Sequence, residues 1–238
     1  MAEEMIFKGF SKQMLHFLSQ LDRNNSRTWF DSHRMEYEQY IMIPSRLFVV
    51  AMGKKIKKIS RNINAIPLVN KSLFRINRDI RFSQNKNPYN TNLGILFWEG
   101  NGRKRTECSG FYFSINATSL FLGAGIYTFS PLLLKIYRNT LTVLSACREL
   151  KKAITRVNES RLFTIGGKKL KKVPHGYPVN EENKELLKRK GIYASYESGI
   201  PDVFHNEEIL DFCLEKFMRM APIHRWLIKF IHHSIYHT

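Results

Sequence analysis

The spacing of apolar residues changes character after Arg61, and that change limits the fold class. Before it the period is helical. Met14, Leu15, Phe17, Leu18 and Leu21 share one helix face behind Ser11. Asn24, Asn25 and Ser26 predict a turn, with Ser26 capping a second helix that carries Trp29, Phe30, His33, Tyr37, Tyr40 and Ile41. Pro44 suits the first turn of a third helix running to about Ser60, with Leu47, Phe48, Val50, Ala51 and Ile56 on its apolar face. After Arg61 the pattern becomes that of strands. Residues 93–98 form a compact apolar run, and residues 110–115 and 119–127 read as two strands around a turn at Asn116, Ala117 and Thr118. Pro131 opens a long helical segment to about Val157. Gly166, Gly167 and residues 174–178 mark a loop region. A charged helix is expected over 181–190, a strand over 192–196, and a helix over 206–226 interrupted near Pro222, with a basic helical end beyond it.

These elements predict an α+β fold: a helical N-terminal third packed on a mostly antiparallel sheet, followed by further helices. With 238 residues and 43% hydrophobic content, one large domain is expected, helical over about 6–61, sheet-containing over about 62–200 and helical again over about 202–237.

The richest chemistry lies in RINRDIRFSQNKNPY, residues 75–89. Arg75, Arg78, Arg81 and Lys86 stand there with a single carboxylate, Asp79, and with Tyr89. Leu73, Phe74, Ile76, Ile80 and Phe82 give the segment apolar anchors. Close guanidiniums repel unless an anion, a carboxylate or water relieves them, and their planar forks match phosphate and carboxylate oxygens. In an extended chain Arg75 and Arg81 share one face and Arg78 takes the other. In a helix Arg75, Arg78 and Asp79 cluster instead. Two readings of the segment stand, an anion site and an ion-pair network around Asp79. Beside guanidiniums Asp79 is held ionised, which suits it to orienting an arginine rather than to base catalysis. Tyr89 is read equally as a hydrogen-bond donor to the anion and as a core plug.

Lys168, Lys169, Lys171 and Lys172 follow Gly166 and Gly167 and form a second basic surface, with His175, Tyr177 and Lys188 near in sequence. The stretch lacks the P-loop pattern. Gly123 and Gly125 lack the helix and acidic residue of a dinucleotide fingerprint. The strand GFYFSI reads as ordinary β core rather than an RNA-recognition sheet. His233 and His237 have i, i+4 spacing, but with His232 they are read as an exposed helix end rather than a metal site. No metal, cofactor or catalytic residue is implied.

The 38 basic and 20 acidic residues leave a formal charge of +18, which favours nucleic acid, nucleotides, phosphorylated metabolites or an anionic membrane surface as partners. Cys108, Cys147 and Cys213 are widely spaced and odd in number, as in a reducing compartment. The first residues do not read as a secretory signal, and no stretch approaches the ~20 apolar residues of a membrane span. A cytoplasmic, soluble protein is expected.

The run RINRDIRFSQNKNPY resembles the signature of a bacterial and fungal family catalogued as domain of unknown function 2461. Residues 9–48, the strands GFYFSI and FLGAGIY, and the loop GGKKLKKVPHGYP are similar to that family's N-terminal portion, central strands and basic loop. Asn90 stands where many members carry a lysine. The resemblance covers roughly residues 6–220 and implies membership without an activity. The function expected is anion binding at the arginine segment, with phosphate or nucleic acid as ligand. The alternatives are an enzyme for a small phosphorylated or carboxylated substrate, and a protein-interaction domain in which the arginines are structural.

Overall fold

The computed structural model describes residues 6–100 and 104–232. The fold is α+β, with helices before and after one antiparallel sheet of six strands. The N-terminal helices are α1 (Lys12–Arg23), α2 (Arg27–Ser32), α3 (Arg34–Glu36) and α4 (Ile43–Ile56). The strands are β1 (Ile63–Asn64), β2 (Leu93–Glu99), β3 (Gly110–Ile115), β4 (Ser119–Ile126), β5 (Thr164–Gly166) and β6 (Ile192–Gly199), in the order β1-β2-β3-β4-β6-β5. The later helices are α5 (Pro131–Thr140), α6 (Leu144–Asn158), α7 (Lys184–Leu187) and α8 (Ile209–Leu227). None is long and apolar enough to cross a membrane.

The chain divides into two compact units. One gathers the described residues of Met1–Phe97, Tyr112–Leu122 and Glu197–Glu215; the other gathers those of Trp98–Phe111, Gly123–Tyr196 and Lys216–Thr238.

In the first unit local signals start the helices. The Ser11 hydroxyl accepts from Met14 N–H and the Ser26 hydroxyl from Trp29 N–H, each satisfying one donor left open in a first helical turn. Helix α1 buries Met14, Phe17, Leu18 and Leu21. Pro44 does not open a separate helix. Residues Tyr37–Met42 form a π-helical stretch running directly into α4, and Ile43 N–H reaches back five residues to Glu38. Proline has no N–H to return to Tyr40, and its ring crowds that carbonyl, so the wider turn relieves both problems. The buried face of α4 uses Phe48, Val49, Met52, Gly53 and Ile56, while Val50 is exposed; the helix is rotated from the expected face and ends at Ile56. Phe48 packs on Phe97 and Phe113, which lays the N-terminal helices on the sheet.

In the second unit the predicted long helix is two. The break at residues 141–143 is held by the Thr142 hydroxyl and Thr142 N–H, both donating to Asn139 O. Helix α7 is a single turn because side chains occupy the backbone around it. Asn180 Oδ1 accepts from Glu182 and Asn183 N–H, and Asn183 Oδ1 accepts from Asn180 N–H. Residues 188–190 are then drawn to the sheet edge, where Leu170 N–H bonds Lys188 O and Lys190 N–H bonds Lys168 O. The expected loop at Gly166 is the edge strand β5, antiparallel to β6 in the register Ile165 opposite Ala194. The Tyr193 ring lies over Gly166, where an added Cβ would sit 2.2 Å from it.

Helix α8 continues through Pro222 rather than breaking there. The carbonyl that loses its partner belongs to Met218, on an exposed turn, while Ala221, Ile223, His224, Trp226 and Leu227 hold the far side of the helix in the core. Residues Ile228–His232 follow as a π-helical stretch. The expectation for His233 and His237 falls outside the described residues, as does the side chain of His232.

Cys108, Cys147 and Cys213 are free and buried, and burial pushes the Cys147 and Cys213 thiols up. Native protein should therefore resist Ellman's reagent, and guanidinium should release three thiols per chain. Prompt reaction of one thiol in buffer would show that its cover opens.

Candidate functional site

Residues 75–89 form an irregular excursion from the first unit, closed by an antiparallel bridge between Asn77 and Tyr89. At its base, Phe74 N–H donates to Gly94 O and Leu96 N–H to Ser72 O, stitching it to β2. Arg78 N–H to Pro88 O and Asn90 N–H to Ile76 O close the two arms. Asn25, in the turn before α2, clasps Tyr89 from both sides. Its Oδ1 accepts from Tyr89 N–H and its Nδ2 donates to Tyr89 O, both at 3.0 Å. Exposure alternates from Phe74 to Arg81, so Arg75, Asn77, Asp79 and Arg81 take the exposed positions and Arg78 a half-buried one.

The predicted residues separate into different roles. Arg81 grips Asp79 with Nε at 2.9 Å and Nη2 at 2.7 Å, a two-pronged pair. Those bonds, then the Arg81 N–H, hold the Asp79 carboxyl below the usual carboxylate range. Arg78 spans the loop from inside, donating to Asn87 O and, at 3.4 Å, to the Ser83 hydroxyl. Lys86 donates to Ile80 O at 3.2 Å. Phe82 is 95% exposed, so it anchors nothing in the core; the anchoring falls to fully buried Leu73. Tyr89 is a plug that also borders the cavity beside Arg75. It is 6% exposed and stacks on Phe30 at 4.3 Å between centroids.

Arg75 stands apart from that internal network. It lines a cavity of about 510 Å³ with Phe30, Arg34, Tyr37, Glu38, Arg46 and Tyr89 among its walls. Arg46 is paired with Glu38, and Arg34 with Asp31 at 3.0 Å. Asp79, whose carboxyl Arg75 helps to hold low, is already taken by Arg81. Among the described residues Arg75 has no ion-pair partner of its own. Burial, and secondarily Glu38, push the Tyr37 phenol up to about 12, so it stays protonated and able to donate. The cavity thus offers an open guanidinium, a neutral phenol and the apolar rings of Phe30 and Tyr89. Its far wall is the π-helical stretch, an irregularity frequent at functional sites. Sequence reasoning found Arg75 and Tyr89 and missed Arg34, Tyr37 and Arg46, because the turn that brings them there follows from helix register at Pro44.

Lys168, Lys169, Lys171 and Lys172 are all exposed on the second unit. A shallow groove of about 580 Å³ on the same unit, unremarked in the sequence, is lined by Arg148, Lys151, Lys152, Thr155, Arg156 and Glu182. Lys151 binds Glu182 at 2.5 Å and holds that carboxyl low.

A third arrangement joins residues distant in sequence. Ser109 Oγ and His224 Nδ1 are 2.9 Å apart, and His224 Nε2 lies 3.0 Å from Glu99 Oε2. A hydroxyl, an imidazole and a carboxylate in this order recur in nucleophilic catalysis. Here Ser109 is 0% exposed and His224 1% exposed, so no substrate reaches the hydroxyl, and the chain of bonds ties α8 to β2 and the start of β3.

No curated protein matches the chain. A family model described as "Conserved hypothetical protein (DUF2461)" matches residues 13–226, which include all but the first residue of α1, helices α2 to α4, the cavity, the arginine excursion, all six strands and most of α8. On that match, which spans most of its length, the chain belongs to the DUF2461 family.

Proposed function

We propose that this protein binds a small phosphorylated ligand bearing a planar or ring-shaped body, of nucleotide size, in the cavity beside Arg75. The observation that carries the reading is the open Arg75 guanidinium, left without a carboxylate because Asp79 belongs to Arg81. Guanidinium meets phosphoryl oxygens with paired, charge-assisted bonds. The Tyr37 phenol adds a neutral donor, and the rings of Phe30 and Tyr89 suit a planar ligand face. About 510 Å³ falls within the usual range of small-molecule sites. Arg78, Arg81, Lys86 and Asp79 act as the frame that presents Arg75 and Tyr89. The binding reading is better supported than proton-transfer chemistry, since a phenol at about 12 is a poor base near neutral pH.

The test is calorimetric titration with adenosine monophosphate, inorganic phosphate and a single-stranded oligonucleotide. Arg75→Ala should weaken the mononucleotide about 10- to 100-fold, the equivalent of ~1.5–3 kcal/mol for a charge-assisted bond. Lys168→Ala and Lys172→Ala each remove one charge from the exposed lysine loop and should change affinity less than about threefold. Equal losses in all three variants would reduce the effect to bulk charge. Strong oligonucleotide binding that collapses with salt and ignores Arg75→Ala would assign the ligand to the exposed lysines instead.

A further inference from the structure

In the second unit Arg138 and Arg189 each keep a buried N–H group that no described acceptor meets. Arg189 is 8% exposed. Its Nη1 donates to Gly166 O at 2.6 Å, while its Nε is buried with no acceptor. Arg138, half-buried on α5, donates from Nε to Leu187 O at 3.2 Å, and its Nη2 is buried with no acceptor. Both guanidiniums act on the same fully buried phenol, Tyr137, whose hydroxyl donates to Leu186 O. The two therefore flank one region at the end of α7. The acids in and just before α7 are committed elsewhere: Glu182 to Lys151 and Glu185 to Lys188. Neither arginine has an ion-pair partner among the described residues.

A guanidinium cannot shed its proton, so burial leaves it charged. An uncompensated buried charge is strongly unfavourable, and each orphan N–H adds its own desolvation penalty. Ordinary folding pressure selects against such an arrangement unless something completes it. A small anion that accepts from both guanidiniums would complete the two orphan N–H groups. The segment over this region suits an entrance. Tyr177 lies against the Arg138 guanidinium, 5.9 Å from ring centroid to carbon. Gly176 beside it has φ +84° and open space around it, and exposed Lys168, Lys169, Lys171 and Lys172 precede it. Those lysines draw anions toward the mouth without holding one.

We propose that Arg138 and Arg189 form a second, internal oxyanion site, closed by Tyr177, for a phosphoryl or carboxylate group. It is separate from the Arg75 cavity and does not rest on the nucleotide reading. Arg189 supplies Nε, Arg138 supplies Nη2, and the bound group satisfies both buried N–H groups.

The experiment uses Arg75→Ala protein throughout, so that the first cavity contributes nothing. Thermal unfolding is followed in inorganic phosphate, in citrate and in chloride at matched ionic strength. At about fivefold over Kd, a ligand bound only by the native state should raise Tm by about 2–4 °C for a chain of this size. Phosphate raising Tm where citrate does not identifies a phosphoryl site; the reverse identifies a carboxylate site. Adding Arg189→Met, which keeps an apolar stem and removes the charge, should abolish the shift, and Arg138→Met should do the same if the first substitution fails to fold. Tyr177→Ala should keep the shift while accelerating anion exchange, since it opens the cover. A shift that survives both methionine substitutions, or no shift above chloride in the Arg75→Ala parent, overturns the proposal and leaves the two guanidiniums to buried water.

Discussion

Phe10→Ala should lower the unfolding free energy by about 3–5 kcal/mol, the largest single effect expected in this chain. Phe10 is 1% exposed and meets four other rings of the first unit: Phe7 and Phe204 at 5.0 Å, Phe48 at 5.2 Å and Phe113 at 5.8 Å. Those rings come from the entry to α1, from α4, from β3 and from the approach to α8, so one side chain gathers four parts of the chain. The backbone reinforces it. Phe10 N–H donates to Phe204 O, and His205 Nδ1 lies 2.8 Å from Phe10 O. Truncation removes ring area from water-free packing and leaves a cavity whose walls belong to different elements and cannot close together. In thermal denaturation the loss corresponds to about 6–20 °C. A loss below about 1 kcal/mol would mean that the cluster relaxes around the gap and is not the centre of the unit.

His224→Phe should cost about 2–3 kcal/mol although it preserves a ring. The imidazole packs on Phe111 at 4.7 Å and stands between the Ser109 hydroxyl and the Glu99 carboxylate. A phenyl group fills the space but leaves the fully buried Ser109 hydroxyl without this bond. Replacing both partners by apolar groups is far less costly than replacing one. Adding Ser109→Ala to His224→Phe should therefore restore part of the loss, with a coupling of about 0.5–3 kcal/mol in a double-mutant cycle followed by denaturant unfolding. Additive losses would show that the two side chains are stabilised independently and that the bond between them contributes nothing.

The arginine excursion separates what was legible from what was not. That RINRDIRFSQNKNPY concentrates cations, one acid and a tyrosine is plain in the residues, and so is the resemblance that the family match bears out. The alternation that sets Arg78 apart from Arg75 and Arg81 follows from an extended backbone. Which arginine takes Asp79 does not. Arg75 and Arg81 both share its face in an extended chain, and it is Arg81, two residues away, that closes on it with two prongs. That single pairing leaves Arg75 facing the cavity alone.

The sequence by itself determined the α+β class, the helix starts at Ser11 and Ser26, the central strands and the family, because each rests on short-range periodicity, capping or a contiguous motif. Only the tertiary structure decided the rest. The π-helical turn before Pro44, the helix that survives Pro222, the edge strand at Gly166, the chain from Ser109 through His224 to Glu99, and the burial of Arg189 all depend on what packs against them. Local propensity is a matter of tenths to a few kcal/mol per residue, and burial of a core side chain is of the same size or larger. Wherever the two disagree, partners distant in sequence set the outcome, and nothing in a local reading of the chain names those partners.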